Sequence, residues 1–243
     1  MPLSFATYTY TSLNALKFNL KSQDAINKKQ EILSGIEHHY KSTPNNILFV
    51  GFSPMMLGVT YKNVFVTGIT DETKNYLDSI AIKYTYIDAK DLKSYAKQFS
   101  WVVAGDEYFT FAQTEQDQQA SVALIASLAK DLIVTTLRDY KNQNFKDREF
   151  SQPLAVYRNN DSLVFLEYHK YEYVDKNAWA TTVYEMQDDK TQAYGPFTRR
   201  AMFFKQLAKF SIDAGAKQFY VHKDLMYKSL IRKNYEHVIS ISI

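Results

Sequence analysis

From residue 22 to residue 137 the chain alternates short apolar runs with longer stretches whose apolar positions recur at helical spacing. The runs are Ile47–Val50, Val64–Ile69, Lys83–Ile87, Trp101–Ala104 and Leu132–Leu137. Runs of this length suit strands covered on both faces. Between them, Ile26, Ile32, Leu33, Ile36 and Tyr40 line one side of a helix that starts near Ser22 and stops at Thr43-Pro44, with Lys28, Lys29, Glu31 and Glu37 opposite. Thr70-Asp71-Glu72 opens a second helix with carboxylates in its first turn, where the helix dipole favours them. A third is expected from Lys90 to Gln98, and Thr114 with Asp117 forms a capping box ahead of Val122, Ile125 and Leu128. Residues 1 to 11 show no clear pattern. Regular alternation with short loops predicts an α/β fold, a doubly wound and mostly parallel sheet with helices on both faces.

Residues 141 to 196 break that rhythm. Leu154–Tyr157, the turn Asn159-Asn160-Asp161 and Leu163–Leu166 read as a hairpin, and Ala178–Met186 as a further strand. An antiparallel β addition to the sheet is the economical reading. Gly195-Pro196 then marks a return to alternation: Thr198 caps a helix carrying Phe203, Leu207, Phe210 and Ala214, and Gly215 ends it. A strand at Lys217–Val221, a lysine-rich helix at Leu225–Lys233 and an alternating strand at Val238–Ile243 complete the chain, the last one inserted antiparallel. The expected organisation is an N-terminal helical segment, 1–45, and a domain over 46–243 with 141–196 as its insertion.

Composition narrows the chemistry. The formal charge of +3 over 243 residues does not suggest a polyanion-binding surface, so nucleic acid is a weak third option among partners. The absence of cysteine removes disulfides, thiolate metal sites and a cysteine nucleophile, and fits a cytoplasmic protein. No stretch has the length of a membrane span or the layout of a signal peptide. The histidines show no zinc spacing, and phosphate-cradling, dinucleotide and nucleophile-elbow motifs are missing. Arg199-Arg200, with Lys205 and Lys209, could present cations to a partner, although such runs are usually solvated faces. Tyr157, Tyr168, Tyr171, Tyr173, Trp179, Tyr184 and Tyr194 concentrate aromatic rings in the addition. They serve its core, a substrate mouth or a protein contact surface over 154–186.

The stretch Asn46–Gly58 joins the first apolar run to a glycine turn, Gly51-Phe52-Ser53-Pro54-Met55, which is how a doubly wound sheet opens its ligand crevice. With the repeated strand–helix pattern and the terminal helix–strand–helix–strand, it resembles the class I S-adenosylmethionine-dependent methyltransferases over residues 46 to 243. The resemblance implies a sheet of order 3-2-1-4-5-7-6 with an antiparallel seventh strand, and S-adenosylmethionine as cofactor. In that family a Gly-x-Gly-x-Gly turn lets the backbone approach the methionine part of the cofactor. Here Gly51 matches, while Ser53 and Met55 replace the other two glycines. Thr70 stands where a ribose-binding acid is usual, with Asp71 one step late, and Ile87-Asp88-Ala89 resembles the adenine-facing strand end. Gly105-Asp106-Glu107-Tyr108 occupies the acceptor-proximal position, and only Tyr108 agrees with the Asp-Pro-Pro-Tyr of amino-directed nucleic-acid enzymes, which disfavours base methylation. The implied cofactor contacts are Gly51, Ser53, Thr70, Asp71, Asp88, Ala89 and Gly105. Asp106 or Glu107 would act as base, with Tyr108 orienting the acceptor. Two functions follow: a methyltransferase with a small-molecule or macromolecular acceptor, or an inactive scaffold of the same fold serving assembly.

Overall fold

Ile47 and Phe49 of strand β1 (Asn46–Val50) belong to one buried cluster, and Leu48 and Val50 to another on the opposite side. Such two-sided burial is what a central parallel strand requires. In the computed structural model, which describes residues 3–18, 23–57, 59–105, 107–138, 149–150, 155–159, 162–187, 189–228 and 235–243, β1 pairs in parallel with β2 (Asn63–Thr67) and β4 (Phe99–Ala104). Beyond them lie β3 (Thr85–Tyr86) and β5 (Ala129–Arg138), also parallel to their neighbours. β11 (Gln218–Lys228) and β12 (Tyr235–Ser242) complete the sheet, β12 running antiparallel to both β5 and β11. The seven strands lie in the order β11-β12-β5-β4-β1-β2-β3. With the inserted strands left out of the count, this is the expected order read from the other edge.

Two helices precede β1, α1 (Leu3–Phe18) and α2 (Gln23–Tyr40). On the face bearing Ile47 and Phe49, Ile32, Leu33 and Ile36 of α2 pack with Leu13 of α1. On the other face lie α4 (Glu115–Leu128) through Val122 and Ile125, and α5 (Phe204–Asp213) through Leu207 and Phe210. The capping box predicted at Thr114 and Asp117 is present, and Thr70 caps α3 (Asp71–Ser79) by accepting the Thr73 N–H. Among the described residues no helix is long and apolar enough to cross a membrane.

The addition is a second, antiparallel sheet: β6 (Glu149–Phe150), β7 (Ala155–Asn159), β8 (Ser162–Asp175), β9 (Ala178–Gln187) and β10 (Lys190–Arg200). The predicted hairpin is β7–β8, its turn residues Asn160 and Asp161 lying outside the described residues. Four readings need correction. Gly195-Pro196 is a cis peptide inside β10 at a bulge, so it interrupts the ladder without ending the addition. Thr198 therefore lies in a strand, and the helix starts at Phe204, capped by Gln206 reaching back to the Phe203 N–H. Leu225 to Lys228 continue β11, where long-range pairing with β12 overrides the helical composition. Residues 229–234 of that predicted helix lie outside the described residues. The expected helix at Lys90–Gln98 is a 3-10 segment, Ala89–Tyr95.

Candidate active site

The carboxyl ends of β1 and β4 face each other across Gly51 and Gly105. Gly51 adopts φ +75°, which favours glycine, and its N–H donates to the Thr67 carbonyl at 2.8 Å, tying the turn to β2. The chain then makes a 3-10 turn at Pro54–Met56, capped by the Ser53 hydroxyl, which accepts the Met55 N–H at 3.4 Å. The described residues of the β1–β2 connection contain no further helix. Met55 is fully buried. A Cβ built on Gly105 would lie 3.6 Å from its Cε and 3.5 Å from the Ser53 Oγ. On the other side a Cβ on Gly51 would collide with the ring of Phe5, which is also fully buried.

Helix α1 thus packs against the turn that leaves β1. The Phe5 ring meets Tyr108 and Phe111 edge-on, each with centroids 4.9 Å apart. Thr9 Oγ1 accepts the Phe52 N–H at 3.3 Å, and Asn14 donates to Glu185 of β9 at 3.1 Å. Sequence patterning missed this helix because it is buried on more than one side: Phe5 and Tyr8 face one core cluster and Leu13 the other.

The remaining predicted residues separate. Thr70 uses its hydroxyl to cap α3, and Asp71 is an exposed partner of Lys74 at 2.7 Å. Asp88 is exposed and caps the 3-10 segment that Ala89 opens. The Lys90 N–H at its carboxylate holds its pKa below the usual value. Asp106 lies outside the described residues. Tyr108 packs in the aromatic core beside Phe5, and burial pushes its hydroxyl pKa up.

Glu107 is placed quite differently. It sits at φ 61°, 2% exposed, with its carboxylate 2.8 Å from Arg199 of β10 and 3.1 Å from Arg138 of β5. Arg199 also donates to Thr110 Oγ1 at 2.9 Å, and its guanidinium lies over the rings of Tyr8, Phe111 and Trp179. Beside it on β8, His169 contacts Glu167 through Nε2 at 2.9 Å and Tyr171 Oη through Nδ1 at 3.2 Å. Burial pushes Glu167 up to about 8 and His169 down to about 3, so at neutral pH their contact is a hydrogen bond between neutral groups. Glu167 Oε2 is buried with no hydrogen-bond partner among the described residues. This polar cluster joins the two sheets beneath Tyr8. One sequence signal could have found it: Glu167, His169 and Tyr171 alternate along one strand face. Arg199 gave none, and its reading as part of a solvent-facing cationic patch is corrected by its 1% exposure. A hollow of about 480 Å³ lies elsewhere, at the amino ends of β1 and β2, lined by residues that include Leu33, Glu37 and Tyr61.

The sequence matches no family model and no curated protein. Solved structures match along almost the whole chain. An S-adenosylmethionine-dependent methyltransferase of Clostridium acetobutylicum superposes with TM-score 0.69 at 12% identity, covering 96% of this chain and 98% of that one. A sugar N-methyltransferase of Streptoalloteichus gives TM-score 0.64 at 7% identity, with 91% and 90% covered. The amino pentose methyltransferase of calicheamicin biosynthesis in Micromonospora echinaspora, in a structure with S-adenosylmethionine bound, gives 0.61 at 9%, with 88% and 90% covered. The fold is that of the class I S-adenosylmethionine-dependent methyltransferases. Identities this low establish architecture and leave the chemistry to the site. At the strand ends the Phe5 ring lies on the Gly51 backbone, while Met55 and Ser53 stand at ordinary contact distance from a Cβ position on Gly105.

Proposed function

We propose that this chain is an S-adenosylmethionine-dependent methyltransferase for a small-molecule acceptor, with the donor at the carboxyl ends of β1, β2 and β4 and the acceptor against the inserted sheet. The observation that carries the reading is what fills the crevice. The three atoms nearest a Cβ position on each of Gly51 and Gly105 belong to side chains of Phe5, Ser53 and Met55. Side chains can be displaced where main chain cannot. The sugar and amino pentose enzymes share this fold at similar coverage, which supports a small acceptor. Pinned by two guanidiniums, Glu107 is poorly suited to accept a proton. Within this reading Glu167 takes that role only as its carboxyl ionises near pH 8, with His169 and Tyr171 hydrogen-bonded behind it.

One feature favours the second reading, a non-catalytic scaffold. Among the described residues the glycine turn leads into a 3-10 turn and not into an α-helix, and Met55 is fully buried next to Gly105. Calorimetric titration of the folded protein with S-adenosylmethionine and S-adenosylhomocysteine separates the two. Saturable heat with either supports the enzyme. Silence from both, in the wild type and in Phe5→Ala, leaves the scaffold.

A further inference from the structure

We infer that α1 is an internal occupant of the donor crevice, and that the Phe5 ring and the cofactor hold the Gly51 turn in mutually exclusive states. The inference deepens the methyltransferase reading and rests on it. Its geometry is specific. The backbone of Gly51 is bare because its φ of +75° and the space above it demand a residue without Cβ, yet the space is taken by a ring from a different element. The next N–H, that of Phe52, is satisfied by the Thr9 hydroxyl, which also donates to the Ala6 carbonyl within α1. One helix thus supplies an apolar plug and a polar partner to two consecutive residues of the same turn. A ligand resting on that turn meets both.

The same helix is fastened to the inserted sheet. Arg199 of β10 donates to the Tyr8 hydroxyl at 3.4 Å, the Tyr8 and Phe197 rings lie 5.7 Å apart, and Asn14 donates to Glu185. Hence departure of Phe5 loosens the contacts that close the inserted sheet over the strand ends. Donor entry and access to the polar cluster at Glu167 and His169 become one event. Each of these contacts uses a side chain of α1, and the strand ladders of both sheets run without it.

Hydrogen exchange read by mass spectrometry on the wild-type chain, with and without saturating S-adenosylhomocysteine, tests the inference. Ligands ordinarily slow exchange where they bind. An occupant that is expelled must do the reverse, so amides within Leu3–Phe18 should exchange faster, by about 10-fold, when the ligand is bound, as expected for a coupling of ordinary size. Phe5→Ala, checked for native circular dichroism, should bind the same ligand about 10-fold more tightly. If the wild type binds while α1 exchange stays unchanged or slows, α1 is not an occupant, and the methyltransferase reading stands without it. If neither wild type nor Phe5→Ala binds, the enzyme reading itself falls and takes the inference with it.

Discussion

Arg199 spans the interface by itself: one guanidinium reaches Glu107, Thr110 and Tyr8 while lying among three aromatic rings. Removing it takes one of two guanidiniums from the buried Glu107 carboxylate and leaves Arg138 at 3.1 Å. Arg199→Met should therefore cost about 1.5–3 kcal/mol, the scale of a lost hydrogen bond to a charged group, read as a lower urea midpoint. Glu167 makes a second prediction. Its folded pKa of about 8 lies above the ordinary 4.5, so the folded state holds a proton that the unfolded chain has lost. Its stabilising contribution is full below 4.5 and is lost as pH rises through 8. His169, with a folded pKa of about 3 against 6.5, acts with the opposite sign, but only below 6.5. From pH 6.5 to 8 the Glu167 slope therefore stands clear of His169, at up to about 1.4 kcal/mol per pH unit. Denaturant midpoints should fall across that window in the wild type and stay level in Glu167→Gln. At this scale the sequence disclosed caps better than sites. Thr70 and Thr114 were legible because capping is local, whereas Arg199 and Glu107 meet across 92 positions that no local pattern links.

Elements were legible where their burial is one-sided or fully two-sided. α2, α3, α4 and the strands β1, β2, β4, β5 and β12 follow their apolar spacing. α1 escaped because its buried residues point to separate clusters, leaving no stripe to read, and β10 escaped because a Gly-Pro pair that punctuates most chains sits within its ladder. Gly195 itself is under two constraints: φ +103°, and a Cβ there would come within 2.8 Å of the Thr181 carbonyl oxygen. Gly195→Ala should consequently lower the thermal midpoint and loosen β9–β10 pairing, visible as faster amide exchange in both strands. By contrast Thr114→Ala, which breaks an exposed capping box, should cost only about 1 kcal/mol and leave ligand binding untouched.

For the molecule as a whole, alternation disclosed a mostly parallel sheet with an antiparallel last strand, and the family resemblance supplied the strand order. The contents of the crevice were not. Nothing in the turn Gly51–Met55 announces that a ring 46 positions upstream will lie upon it. If donor binds, excess S-adenosylhomocysteine at about 100 times its Kd should stabilise the fold by about 2.7 kcal/mol in a thermal melt. The seat of Phe5 has one more consequence. As the inferred occupant, Phe5 would be a competitor carried on the same chain that cannot be diluted away, and the affinity seen from outside would be the intrinsic one multiplied by the fraction of time the ring is absent. Donor scarcity would then silence the protein without any separate inhibitor. Loosening α1 would shift the concentration at which it responds and leave the contacts that recognise the donor as they were.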